Sequence, residues 1–242
     1  MDFQIIYEDK DLLVIDKPAG IVVFPEGKTT EKTLIDLLLE KFPDLKNVGE
    51  APRYGIVHRL DKDTSGILLV AKSTEALIFL QKQFKNREVE KKYTTLATGI
   101  IKEKEGVIHT LIGRAKNDPR KQKASWLEDA NPQGKREAIT KYKVIQKFTD
   151  PSTSLGASYT LLEVEIKTGR KHQIRCHLEY IRHPIAGDKI YGFKDSPCPK
   201  GLKRQFLHAS YLKIKLPSGE IKKFNSKLPQ DLQNTINNLE KI

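Results

Sequence analysis

The chain is poor in the residues and patterns that cross-link a fold, cross a membrane or hold a nucleotide in a loop. Its 242 residues include two cysteines, Cys176 and Cys198, too few for a disulfide framework or a four-ligand zinc site. The longest apolar runs, Ile67 to Ala71 and Leu37 to Leu39, are far short of the ~20 residues that span a bilayer. The first residues, MDFQIIYEDK, lack the basic region, apolar core and small-residue cleavage site of a secretory signal, so a cytoplasmic protein without a membrane partner is expected. No GxxxxGK[ST] loop occurs, and no GxGxxG follows a strand, which removes support for nucleotide hydrolysis and dinucleotide redox chemistry. His172 and His177 stand five apart and no HExxH pattern is present, so no metal site is expected. There is no internal repeat and no low-complexity segment. An apolar content of 38% fits an ordinary globular chain, neither fibrous nor disordered.

What the chain does have is positive charge. Lysine and arginine outnumber acids 43 to 31, a formal charge of +12, which favours a polyanionic partner. Charge alone is weak ground, since a basic surface also serves solubility. Its clustering is more specific: Lys82, Lys85 and Arg87 near a helix end, Arg114, Lys116, Arg120, Lys121 and Lys123 in a polar stretch, and Arg170, Lys171 and Arg175 further on. Such groups can neutralise phosphates and release counterions, which implies salt-dependent binding to a polyanion such as nucleic acid.

Hydrophobic periodicity outlines the elements. Ile5 to Tyr7 and Leu12 to Asp16 form a hairpin over Glu8 to Asp11, and Thr33 to Phe42 forms a helix introduced by Thr29 and Thr30 and closed by Pro43. Gly66 to Lys72 is a strand, followed by a helix over Thr74 to Lys85 capped by Ser73 or Thr74. Further strands are expected over Tyr93 to Gly99, Val107 to Ile112, Ala138 to Phe148, Tyr159 to Thr168 and Leu207 to Leu216. The buried face includes Tyr142, Val144 and Ile145, then Leu162, Val164 and Ile166. His172 to Ile181 reads as a helix, and Pro229 opens a last one. The polar stretch Arg114 to Arg136 reads as a long loop. The fold expected is α+β, with a large mixed, mostly antiparallel central sheet and flanking helices.

The most informative stretch is HRLDKDTSGILLVAK, His58 to Lys72. It sets Asp61 between Arg59 and Lys62, which can keep a nearby carboxylate ionised, with Thr64 and Ser65 to bond the turn and Gly66 to allow a tight entry into an apolar strand. In an arbitrary protein an aspartate so placed is a surface or turn ion pair. Here it does not stand alone. The stretch resembles the signature of the RluA family of pseudouridine synthases, in which the aspartate of HRLD is the nucleophile. Three further blocks, in order, carry the same resemblance: DLLVIDKPAGIVVFPEG from Asp11 to Gly27, VEKKYTTLATG from Val89 to Gly99 with Tyr93, and TGRKHQIRCHLEYIRHPIAGDKIYG from Thr168 to Gly192. A fourth, LHASYLKIKLPSGE from Leu207 to Glu220, is similar to the family's LHA strand, although Leu216 and Pro217 replace the usual His-Pro. Similarity begins within the first dozen residues, so no separate N-terminal RNA-binding domain is expected.

The resemblance implies an RNA pseudouridine synthase acting on specific uridines of rRNA or tRNA, with a single catalytic domain over 1–242 whose loops form an RNA-binding cleft. That isomerisation breaks the bond from uracil N1 to ribose and remakes it at C5 without redox change, so it needs no cofactor; it does need an ionised carboxylate beside the anomeric carbon. Asp61 fills that role, whether it adds to the sugar or removes a ribose proton to give a glycal. By family analogy Arg175 keeps Asp61 charged, and a common helical face would let His172 point the same way. Tyr93 offers a stacking plane and a phenol near C5. Leu207 supplies an apolar wall, Arg59 follows the base into the vacated stack, and His58, Thr64, Arg170 and His172 complete the RNA-binding set. Because the base must leave its stack, looped or single-stranded RNA is the favoured target. A monomer without an obligatory protein partner is expected. The rival readings are a noncatalytic RNA-binding or ribosome-assembly protein on the same fold, against which intact Asp61, Tyr93 and Arg175 argue, and a hydrolase that releases free base.

Overall fold

Asp9 closes the first hairpin, its Oδ1 accepting the backbone N–H groups of Asp11 and Leu12, each at 2.8 Å, so β1 (Gln4–Glu8) turns directly into β2 (Leu12–Lys17). The computed structural model describes residues 3–25, 31–153 and 156–242. The elements that follow are α1 (Leu34–Lys41), β3 (Ser65–Ala71), α2 (Thr74–Lys85), β4 (Glu90–Thr98), β5 (Glu105–Arg114), β6 (Gln122–Ser125), β7 (Arg136–Asp150), β8 (Ala157–Ile166), α3 (Gln173–Tyr180), β9 (Leu207–Lys215), β10 (Ile221–Asn225), α4 (Gln230–Asn237) and β11 (Glu240–Lys241). The class is α+β, and every strand pairing named below is antiparallel. Two compact units are distinguished, Met1–Glu90 with Ala209–Lys227, and Lys91–His208 with Leu228–Ile242.

In the first unit β2 lies between β1 and β3, with Leu13 opposite Val70 and Lys17 opposite Gly66. All seven residues of β3 are buried, which is why its sequence is a continuous apolar run rather than an alternation. Thr33 begins α1, both its N–H and its hydroxyl donating to the Asp36 carboxylate at 2.8 and 2.7 Å. Thr29 and Thr30, expected to introduce this helix, lie outside the described residues. Pro43 ends it by opening a 3-10 turn over Pro43–Asn47. Ser73 caps α2 by accepting the Ala76 N–H at 3.1 Å, and the helix buries Ala76, Leu77 and Leu80. Gln83 ties that helix to β9 through both ends of its amide, at 2.8 and 3.1 Å to the backbone of Lys215. β9 in turn pairs with β10, Leu212 opposite Phe224.

The second unit orders its strands β4-β8-β7-β5-β6, with β11 on β7. Leu162, Val164 and Ile166 are buried as the alternation requires. On β7 Ile145, expected on the buried face, directly follows Val144 and so turns to the other side, 54% exposed as Lys141 and Lys143 are exposed, where it is the extra residue of a bulge between Val144 and Gln146. The stretch 114–136, expected as one long loop, contains β6, which pairs Gln122 to Ser125 against Leu111 to Arg114. Ala124 on that strand joins Ile112, Ala138, Cys176 and Tyr191 in a buried cluster. The last helix, α4, starts after Pro229 and buries Leu232 and Thr235. Among the described residues no helix is long and apolar enough to cross a membrane.

The start of β3 depends on one glycine. Gly66 has φ +114°, and a Cβ there would lie 2.3 Å from the carbonyl oxygen and 2.7 Å from the nitrogen of Ala209, both backbone atoms that a rotamer change cannot move aside. Gly66→Ala therefore destabilises the fold by roughly 2–5 kcal/mol, from a strained backbone and an overpacked contact. Denaturant unfolding checks this, and a loss below about 1 kcal/mol would refute so close an approach.

Candidate active site

Asp61 sits in a tight turn just ahead of β3, half-buried, with its carbonyl accepting the Thr64 N–H at 3.1 Å. Thr64 and Ser65 are buried at 2% and 3% exposure, so the turn passes straight from a partly open carboxylate into the core. His58 braces the other side. Its Nε2 accepts the Leu69 N–H at 3.1 Å and its ring stacks on Phe84, with centroids 4.8 Å apart. An Nε2 that accepts implies the proton on Nδ1, hence a neutral ring in this geometry. Arg59 is exposed, its guanidinium 5.4 Å from the Phe24 ring centroid. Lys62, expected to face the Asp61 carboxylate, instead places its ammonium 2.7 Å from Glu31 in an exposed pair.

The loop after β2, Lys17 to Gly20, does more than its sequence suggests. Lys17 is fully buried, and its ammonium donates to the carbonyls of Pro18, Ile21 and Lys62 at 2.8, 2.9 and 3.0 Å. The Gly20 N–H donates to the same Lys62 carbonyl at 2.9 Å. The residue after Asp61 is thereby fixed to the end of β2.

In the second unit Tyr93 lies on β4 opposite Val164, 8% exposed. The carbonyl of Phe206 accepts the Thr95 hydroxyl at 2.7 Å, and Leu207 follows it at 4% exposure. Around α3 a polar lattice sets the geometry. The Gln173 Oε1 accepts from the Thr168 hydroxyl at 2.8 Å and the Arg170 N–H at 3.0 Å, while its Nε2 donates to Ile139 and Thr140. Arg170 is half-buried and donates from Nε to the Glu137 carbonyl at 2.9 Å.

His172 does not join Arg175 on a helical face as expected. It precedes the helix in the left-handed region, φ 55° and ψ 23°, so helical spacing does not govern its direction. The two residues meet on Tyr191 instead. The His172 Nδ1 lies 3.1 Å from the Tyr191 hydroxyl, which accepts the Gln122 N–H at 2.7 Å, and the Arg175 guanidinium lies 5.1 Å from the Tyr191 ring centroid. Arg175 is 4% exposed and forms a two-point pair with Asp188, Nε to Oδ2 at 2.7 Å and Nη2 to Oδ1 at 2.9 Å. Burial pushes the Asp188 carboxyl up, but the Arg175 bonds and charge, with N–H donors from Tyr191 and Ile190, outweigh it and hold the group below the usual carboxylate range. Asp188 and Tyr191 are the residues sequence reasoning passed over, although both lie in the HPIAGDKIYG block.

Comparison with known proteins identifies the family. Residues 11–180 match the model of the family described as RNA pseudouridylate synthase. The chain is 40% identical over 242 residues to the "uncharacterized RNA pseudouridine synthase YlyB" of Bacillus subtilis (strain 168), covering all of this chain and 74% of that protein. It is 42% identical over 236 residues to the "ribosomal large subunit pseudouridine synthase D" of Nitrosomonas europaea, covering 95% of this chain and 63% of that protein, less than two thirds of its length. The solved structure of "Human RNA Pseudouridylate Synthase Domain Containing 1" superposes with a TM-score of 0.78 at 26% identity, covering 100% of this chain and 89% of that one. The class these define is RNA-modifying isomerases. This chain belongs to the RNA pseudouridylate synthase family, in its RluA branch.

His177, on the same helix as Arg175, is fully buried between the hydroxyls of Thr110 and Thr140, at 2.9 and 2.8 Å. Burial, with a contribution from His109, pushes its pKa down to about 4. Between the unfolded value near 6.5 and the folded value near 4, the unfolded chain binds a proton that the folded chain refuses; stability is therefore full above the upper value and falls as pH drops toward the lower. Up to about 3 kcal/mol is lost across that window. Denaturant unfolding from pH 7.5 to 4.5 should show the loss, and His177→Gln, which cannot titrate, should flatten that part of the profile; an unchanged profile would remove His177 as its cause.

Proposed function

We propose that this protein converts uridine to pseudouridine within RNA, with Asp61 as the catalytic carboxylate and Tyr93 and Arg175 as the other catalytic residues. The observation that carries the reading is the Asp61 turn, braced by His58 on one side and by the Lys17 and Gly20 contacts to Lys62 on the other. A carboxylate that must meet an anomeric carbon needs this kind of fixed placement. The bond from uracil N1 to ribose C1′ breaks, the base turns, and a new bond joins C5 to C1′; the proton on C5 leaves and N1 gains one, so atoms and charge balance without a cofactor. Tyr93, on a buried strand, suits a group that meets the base and its C5 proton. Arg175, already oriented by Asp188, suits the fixed cation the reaction needs beside the carboxylate. Asp61 belongs to the first unit, Tyr93 and Arg175 to the second.

RNA contact we assign to Arg59, Thr64, Arg170, His172, Leu207 and the basic stretch from Arg114 to Arg136, with His58 supporting the turn. Within that stretch Arg120 is already paired with Asp118, at 3.0 and 2.9 Å, and Lys135 with Asp129; Arg114, Lys116, Lys121 and Lys123 are the better candidates for phosphates. Large-subunit ribosomal RNA is the first substrate to test, since relatives carry that designation, with transfer RNA next. We read the protein as a cytoplasmic monomer that needs no protein partner.

The deciding experiment is carbodiimide-dependent mapping of pseudouridine in RNA from cells lacking the gene, complemented with wild type or Asp61→Asn. A site that vanishes on deletion and returns only with wild type is expected. With purified protein, Asp61→Asn should lower the rate by about 10³-fold or more while RNA affinity changes by less than about threefold. RNA binding without any mapped site would support the noncatalytic reading, and release of free uracil would support a hydrolase. Replacing Arg114, Lys116, Lys121 and Lys123 by Gln should weaken binding and reduce the dependence of log K on log salt by about 0.7 per lost phosphate contact to a single strand; unchanged binding and site choice would remove this stretch from RNA recognition.

A further inference from the structure

Arg175 is more tightly held than an arginine that merely contributes charge would need to be. Its Nε and Nη2 are both taken by Asp188, whose side chain is fully buried. The Oδ1 of Asp188 also accepts the N–H groups of Ile190 and Tyr191, at 2.9 and 3.0 Å. The carboxylate is thus fixed by backbone before it fixes the guanidinium. Beneath that guanidinium lies the ring of Tyr191, 2% exposed, which Lys121 approaches as well, at 5.7 Å from the centroid. The Tyr191 hydroxyl is held in turn by the Gln122 N–H and by His172.

We infer that Asp188 and Tyr191 are positioning residues for Arg175, setting the plane in which its guanidinium presents N–H donors to the reacting centre. This rests on the catalytic role proposed for Arg175. Two-point pairing fixes rotation of the guanidinium within its plane, and the aromatic face fixes the tilt of that plane; a guanidinium with both constraints has one orientation. A solitary ion pair would leave the tilt open. The same ring links this orientation to the basic stretch through Lys121 and Gln122, the side from which RNA phosphates are expected to arrive. Fixing donors before the substrate arrives avoids the reorganisation that otherwise falls on the transition state.

The test is single-turnover pseudouridine formation with Asp188→Asn, Tyr191→Leu, Arg175→Lys and the Asp188→Asn/Arg175→Lys double variant, each in the full-length chain and below its own unfolding midpoint, with RNA affinity measured alongside. Asp188→Asn is expected to slow the reaction about 10- to 100-fold, the scale of a misplaced catalytic group, with RNA affinity within about twofold. In the Arg175→Lys background the same change is expected to cost little more, because Asp188 acts only through Arg175. Additive losses in the double variant would overturn the inference, since a structural role acts independently of Arg175. Tyr191→Leu, which removes the ring and no charge, is expected to give a loss of about tenfold or more, again in rate rather than affinity. It gives a decision even where Asp188→Asn does not fold. Wild-type rates in Asp188→Asn and Tyr191→Leu with a slow Arg175→Lys would overturn the positioning role while sparing the proposed function. A wild-type rate in Arg175→Lys would overturn the catalytic role of Arg175 and this inference with it.

Discussion

The buried ammonium of Lys17 is the constraint from which the first unit's site is built. Taking a lysine charge out of water costs several kcal/mol unless polar groups surround it, and here three main-chain carbonyls do so. Main-chain carbonyls cannot rotate away without moving the chain that bears them. Two of the three lie in the loop after β2, and the third belongs to Lys62, next to Asp61. The charge therefore pulls two distant segments into a fixed relation, reinforced by the Gly20 N–H on the same oxygen. From there Thr64 closes the turn on Asp61, and Gly66 passes the chain against Ala209 with no room for a side chain. Apart from the Lys17 ammonium and the His58 ring, the steps are main chain or glycine, so Asp61 is placed largely by backbone.

The second unit uses a different device for the same purpose, a buried network of neutral polar side chains. Gln173 joins Thr168, Arg170, Ile139 and Thr140, and His177 joins Thr140 to Thr110. Each member has partners, and a satisfied network in a low dielectric rigidifies what surrounds it. The Thr140 hydroxyl, shared by Gln173 and His177, and the Thr110 hydroxyl on His177 fix the rotation of α3 against β5 and β7. Arg175 sits on that helix, between the two residues that anchor it, so its Cα is located before its side chain finds Asp188.

Much of this was legible in the sequence where one local rule dominates. Leu162, Val164 and Ile166 alternate, Ser73 stands where a helix cap belongs, and the apolar run of β3 has no reading other than a buried segment. One reading failed against the same local rule: Ile145 directly follows Val144, so alternation turns it to the exposed side with Lys141 and Lys143. The other failures were decided by tertiary contact. β6, reading Gln-Lys-Ala-Ser, has no β-branched residue and becomes a strand because β5 offers it a partner. His172 adopts a positive φ that few non-glycine residues accept, which no helical pattern signals. Of the candidate site, Asp61, Tyr93 and Arg175 stood out through their blocks, whereas Asp188 and Tyr191 did not. A tyrosine or aspartate is more often structural than not, and what sets these two apart is the arginine between them, thirteen residues from Asp188 in sequence.

The Arg175–Asp188 pair also bears on how the second unit delivers positive charge. A lone buried guanidinium would be strongly destabilising, and removing the partner of a buried pair costs about 3–5 kcal/mol. Paired, the group is close to neutral at a distance, so it adds little to the long-range field that draws RNA in. That field comes instead from exposed residues such as Arg114, Lys116 and Lys123, where screening by salt is strong. The division follows from dielectric. Exposed charges act over roughly 10 Å at physiological salt and are weak and adjustable, whereas the buried guanidinium acts over one hydrogen bond and is oriented in advance. On the catalytic role proposed for Arg175, adding net charge beside it would do less for the chemistry than preserving its orientation, which Asp188 and Tyr191 constrain and salt does not screen.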